Sequence, residues 1–125
     1  MLIRDSTKCP HEQVMDHSVL CELLHPDKVA GAGDLACSIA HAIVPRGKST
    51  LPHRLMESTE LYYILKGTGT MNIDDETSPV RPGQIVMIPH GAVQHIHNTG
   101  NCDLVFLCVV SPKWQARDEV LVPAM

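Results

Sequence analysis

Gly47-Lys-Ser-Thr-Leu-Pro-His53-Arg54-Leu55-Met-Glu-Ser-Thr-Glu60-Leu-Tyr62-Tyr-Ile-Leu-Lys-Gly67 is the stretch that decides the fold. Side chains two apart on an extended chain share a face, so His53 and Leu55 point the same way. Glu60 opens an apolar run, Leu61 to Leu65, and shares its face with Tyr62 and Ile64. A carboxylate on an inward face needs a partner. Both faces of the run are apolar, so both must be covered. One cover is a barrel interior. The other is the N-terminal segment or a second subunit, and a chain of 125 residues has little spare material, so a homodimer is expected.

Outward from this stretch, short β-prone runs alternate with turn signals. Cys37 to Val44 precedes PRGKS, Gly69 to Ile73 precedes DDE, Gln84 to Ile88 precedes PHGA, Val93 to His97 precedes NTGN, and Leu104 to Val110 precedes SPK. Glycines at 47, 67, 83 and 91 fall at corners that call for positive φ or close backbone approach. The pattern predicts an all-β sandwich or barrel. One or two short strands are expected in residues 1–35, a motif core over about 38–110, and a tail over 112–125 with a turn of helix before an extended end, all within one domain spanning 1–125.

Composition narrows the function classes. The 44% hydrophobic and 19% charged content is that of a soluble globular chain. A net charge of -4 without any run of Lys or Arg offers nothing to a phosphate backbone, so nucleic acid is not an expected partner. No apolar run reaches membrane-spanning length, and the first thirteen residues are interrupted by charges and a proline, so no membrane partner and a cytoplasmic location are expected. Five cysteines, odd in number and without a CxxC pair, read as reduced thiols. The eight histidines are the outlier, since imidazole is the commonest metal ligand and the natural acid or base near neutral pH.

A second string runs Gly83, five residues, Pro89, His90, Gly91, two residues, Gln94, three residues, Asn98. With the first it resembles the paired motifs of the cupin superfamily, G(X)5HXH(X)3–4E(X)6G and G(X)5PXG(X)2H(X)3N. Eight of the ten defining positions match, and the resemblance runs from Ser38 to Val110. It implies a double-stranded β-helix, the cupin jelly-roll barrel, with a divalent cation held inside by two histidines and a glutamate of the first motif and a histidine of the second. Those positions are His53, Leu55, Glu60 and Gln94 here. Leucine coordinates nothing, and glutamine offers a neutral oxygen or an NH2 group. The departure leaves open whether the ion is bound at all.

His41 interrupts the apolar series Ile39 to Val44 and, facing inward, would replace the lost ligand. His53, Glu60, Gln94 and His41 would then suit Fe, Mn, Ni or Zn, with Glu60 and Tyr62 as proton-moving groups acting on a small molecule. Oxygenase, isomerase and decarboxylase chemistry all belong to such a site. The alternative is a non-catalytic small-molecule binding or sensing protein in which His53, Glu60 and Gln94 form a polar pocket.

His95 and His97 lie on the opposite parity from Gln94 and read as outward, and His90 as an exposed corner residue. His17, Cys21 and His25, spaced i, i+4, i+8, would line a helical face and offer a small zinc site, though Cys21 to Pro26 fits a strand as well. Arg54 is either an anion clamp or structural. No serine or cysteine triad and no phosphate-cradling glycine loop is recognisable.

Overall fold

The computed structural model describes residues 1–123; residues 124 and 125 of the expected tail lie outside the described residues. Among the described residues eleven strands make two antiparallel sheets. The six-stranded sheet is built from β1 (Glu12–Gln13), β2 (Val19–Leu24), β3 (Ser38–Val44), β10 (Leu104–Ser111), β5 (Thr59–Lys66) and β8 (Ile85–Ile88), in that spatial order. The five-stranded sheet orders β11 (Glu119–Leu121), β4 (His53–Leu55), β9 (Gln94–Asn98), β6 (Gly69–Ile73) and β7 (Glu76–Val80). A 3-10 turn at Ala116–Asp118 precedes β11.

The expected jelly-roll barrel is the observed architecture, and strict alternation places its core. On β3 the buried residues are Ser38, Ala40, Ala42 and Val44, and on β10 they are Leu104, Phe106, Cys108 and Val110. With Tyr62, Ile64, Met71, Ile88 and Ile96 these fill the space between the sheets. On the inner face of the six-stranded sheet Ala42 of β3 stands beside Phe106 of β10, a small residue next to a bulky one.

Two motif positions serve the turns. Gly67 has φ +82°, and a Cβ there would lie 2.5 Å from the Asp103 carbonyl oxygen, so no other residue fits. Asn98 donates from Nδ2 to the carbonyls of Val44 (2.9 Å) and Cys102 (2.8 Å), and accepts from the Gly100 amide, which pins the β9–β10 corner to the end of β3.

The outer face of the six-stranded sheet stays apolar. Tyr63 and Leu65 of β5 and Ile85 and Met87 of β8 are 41%, 42%, 63% and 64% exposed and lie side by side in the register Tyr63 to Ile85, Leu61 to Met87. The N-terminal segment covers a different part of this face, near β2 and β3, where Arg4 Nε donates to the Leu23 carbonyl at 2.7 Å. Among the described residues no helix is long and apolar enough to cross a membrane.

Candidate functional site

A cavity of about 370 Å³ opens between the sheets at the end of the barrel where the segments 10–28 and 110–119 meet. His53, Glu60, Tyr62, Phe106 and Cys108 line it from inside the barrel, residues of the 10–28 segment from one side, and Trp114 and Glu119 from the other. The walls thus come from the motif strands and the mouth from chain outside them.

Glu60, Gln94 and Tyr62 form one hydrogen-bonded chain. Gln94 Nε2 donates to Glu60 Oε1 at 2.7 Å, and the Tyr62 hydroxyl donates to Gln94 Oε1 at 2.9 Å. All three side chains are buried, Gln94 completely. Burial pushes the Glu60 carboxyl up to about 8; the bond from Gln94 acts the other way, while the carboxylates of Asp16, Glu119 and Glu22 add to the rise. Burial likewise raises the Tyr62 phenol well above its ordinary value. With a proton on its second oxygen Glu60 still accepts from Gln94 Nε2 through Oε1, so the chain accommodates both states of the carboxyl. Among the described residues nothing bonds the second oxygen of Glu60, on a side chain only 8% exposed that lines the cavity.

His53 sits across from Gln94 in the β4–β9 register. Its Nδ1–H donates to the Leu51 carbonyl at 2.7 Å, which fixes the tautomer and turns Nε2 to the cavity, 3.5 Å from Asp16 Oδ2. Asp16 in turn is held by a tight turn, where its Oδ1 accepts from the Ser18 amide (2.9 Å) and hydroxyl (2.6 Å), and its carbonyl accepts from the Leu51 amide at 2.7 Å. Glu119 Oε1 accepts from the Trp114 indole N–H at 3.0 Å, and burial raises its carboxyl. Neither Asp16 nor Glu119 was legible, because both lie outside the motif strings and reach the cavity only through the fold of the termini. The Asp-His-Ser turn at 16–18 is the one local signal for Asp16.

His41 does not join this group. It lies between Ala40 and Ala42, both buried, and therefore projects from the outer face of β3, where its Nδ1 bonds His11 Nε2 at 2.9 Å. The expected compensation for Leu55 by His41 is corrected by this parity. Leu55 is buried on the His53 side of β4, as expected. Arg54 alternates with both and faces outward, away from any role as anion clamp in the cavity.

His95 and His97 alternate with buried Gln94, Ile96 and Asn98 and face out, His97 bonding Ser49, and His90 is exposed. The spacing of His17, Cys21 and His25 has no helical face to act on. Cys21 is in β2, His17 occupies a turn with φ 73°, and the buried His25 ties the tail by donating to the Trp114 carbonyl at 2.8 Å.

The divalent ion that the resemblance implies does not fit these donors. Leu55 supplies hydrocarbon, Gln94 commits its amide to Glu60 and Tyr62, and His41 is on the other face, which leaves His53 and Glu60. Among the described residues no three His, Cys, Asp or Glu side chains are grouped to hold an ion.

The family model described as "Cupin domain" matches residues 40–110. An uncharacterized protein of Methanocaldococcus jannaschii is 41% identical over 103 residues, covering 82% of this chain and 80% of that one. The oxalate-binding protein of Thermotoga maritima is 36% identical over 67 residues, 54% of this chain and 55% of that protein. Among solved structures, a predicted oxalate decarboxylase from Thermotoga maritima superposes with a TM-score of 0.78 at 25% identity over 89% of this chain and 99% of that one. The nucleoside dehydratase Pac13 of Streptomyces shares the fold, with a TM-score of 0.76 at 17% identity over 100% and 93% of the two chains.

Proposed function

The chain belongs to the cupin domain family, and from that premise we propose that it acts on a small organic molecule in the barrel cavity by proton transfer, as an isomerase-type enzyme. The observation that carries this reading is Glu60, a buried carboxyl with one oxygen held by Gln94, the other open to the cavity, and an affinity for its proton raised to about 8. Such a group is protonated near neutral pH and donates to substrate, while His53, its ring fixed by Leu51 and its Nε2 next to Asp16, accepts. A proton on Nε2 completes an ion pair with Asp16.

Of the three chemistries the resemblance implies, oxygenation and metal-assisted decarboxylation need a donor set that Leu55 and Gln94 take away, whereas isomerisation needs only an acid and a base. Tyr62 acts through Gln94 and positions Glu60. The test is deuterium incorporation from D2O into a panel of hydroxy- and amino-carbonyl compounds, followed by proton NMR. Incorporation by the wild type that is lost in both Glu60→Gln and His53→Ala supports the reading; equal rates in the variants contradict it.

A second reading, a non-catalytic binding or sensing protein, is favoured by the closed chain Tyr62–Gln94–Glu60, which is complete without a substrate. The apolar strip of Tyr63, Leu65, Ile85 and Met87 at the β5–β8 edge supports a homodimer, since a second copy would cover a surface this chain leaves bare. Five free cysteines fit a reducing, cytoplasmic setting.

A further inference from the structure

Charge in the cavity is one-sided. Five carboxyl groups line it, those of Glu12, Asp16, Glu22, Glu60 and Glu119, against one lysine, Lys28, and one histidine, His53. Lys28 is already engaged, its Nζ 3.6 Å from Glu22 Oε2 and 5.0 Å from the centroid of the Trp114 ring. The wall thus already holds one ammonium between a carboxylate and an aromatic face, an arrangement that suits cations. Arg54, the other cation near the motif, points outward. An anion entering would meet Asp16 and Glu119 with no guanidinium or free ammonium to receive it, and a small dicarboxylate would add two further charges.

One oxygen on the wall also asks for a donor: the Glu60 oxygen that Gln94 does not hold belongs to a side chain more than nine-tenths buried and opens on the cavity. Carboxylate oxygens accept and an ammonium carries three N–H donors, so an ammonium that sends the Glu60 proton to solvent bonds this oxygen as an ion pair. Around the acids lie Val14, Leu20, Phe106 and Val110, which give the cavity an apolar wall for the carbon skeleton.

We propose that the ligand of this cavity is a small organic ammonium, a primary amine on a short carbon skeleton, and that the acidic lining selects against dicarboxylates such as oxalate. The inference rests on reading the cavity as the ligand site, but not on Glu60 acting as an acid. Selection here is by charge at Asp16, Glu22 and Glu119, and the dicarboxylate ligand named for the Thermotoga maritima relative does not carry over to this chain.

Trp114, the single tryptophan, reports on the cavity through its indole N–H, bonded to Glu119. Titration of the 15N-labelled protein at pH 7 and matched ionic strength with n-butylammonium chloride, disodium oxalate and meso-erythritol tests the proposal. The expected result is saturable shifts at the Trp114 indole and at residues 16 and 28 with n-butylammonium, and none there with oxalate or erythritol. Asp16→Asn keeps the acceptor for Ser18 and removes the charge, and should weaken n-butylammonium by about tenfold. Tighter binding of oxalate, equal binding of erythritol, absence of n-butylammonium shifts, or an unchanged affinity in Asp16→Asn would each overturn it. The proton-transfer reading fails separately, by deuterium exchange that ignores Glu60 and His53.

Discussion

Gln94 donates its side-chain N–H to Glu60 at 2.7 Å, at the position where the family resemblance calls for a metal-binding histidine. An amide in place of the imidazole converts a ligand into a hydrogen-bond donor that holds the carboxyl from within the barrel. The same carboxyl that would bind an ion in the family pattern is here a buried acid.

Stability should fall as pH rises through neutrality. The Glu60 carboxyl has a folded value near 8 against 4.5 for the free group, so the folded state binds the proton more tightly than the unfolded one. That contribution is fully present below about 4.5 and lost as pH rises through about 8, a few kcal/mol at most by order of magnitude. Urea unfolding at pH 5, 7 and 9 should show the decline, and Glu60→Gln should flatten it. A Glu60→Gln profile parallel to the wild type would contradict the assignment.

Restoring the family's ligands should restore metal binding. Leu55 shares the His53 face of β4, and Gln94 stands opposite His53. The double variant Leu55→His, Gln94→His therefore places three imidazoles and Glu60 around one point, and its affinity for Mn(II) or Zn(II) by calorimetry should exceed that of the parent by at least about tenfold. No gain would mean that Leu55 and His53 do not share a face as described.

His53→Ala and His41→Ala should separate the two faces of the sheet. The first removes the base and should abolish deuterium incorporation while the far-ultraviolet circular dichroism stays unchanged. The second should leave ligand shifts intact and speed amide exchange in residues 4–13, because His41 holds His11 at 2.9 Å from the outer face. Ligand loss in His41→Ala would contradict its placement.

How far the sequence carried can be seen in individual residues. The parity of Glu60 with Tyr62 and of His53 with Leu55 was legible, since a period of two needs only the strand to exist. His41 was not, because a polar residue within an apolar run has no sign for which face is inside until Ala40 and Ala42 are known to be buried. Asp16 and Glu119 were missed for another reason: beyond the turn signal at 16–18, their approach to His53 and Trp114 depends on how the segments 10–28 and 114–119 close the barrel mouth. Strand β7 went unread likewise, for Glu76 to Val80 is almost wholly exposed and shows no apolar alternation.

At the bare edge of the six-stranded sheet, Ile85→Glu with Met87→Glu should yield a monomer of 13.7 kDa by sedimentation at micromolar concentration, against a dimer for the parent. A monomeric parent would contradict the homodimer.

The acid role of Glu60 is tested most directly by a carbon-13 titration of the side-chain carboxyl, its resonance assigned by its disappearance in Glu60→Gln. A midpoint near 8 is the predicted result. A midpoint in the ordinary glutamate range, near 4.5, would contradict the account, because the carboxyl would then be ionised at neutral pH and hold no proton to give.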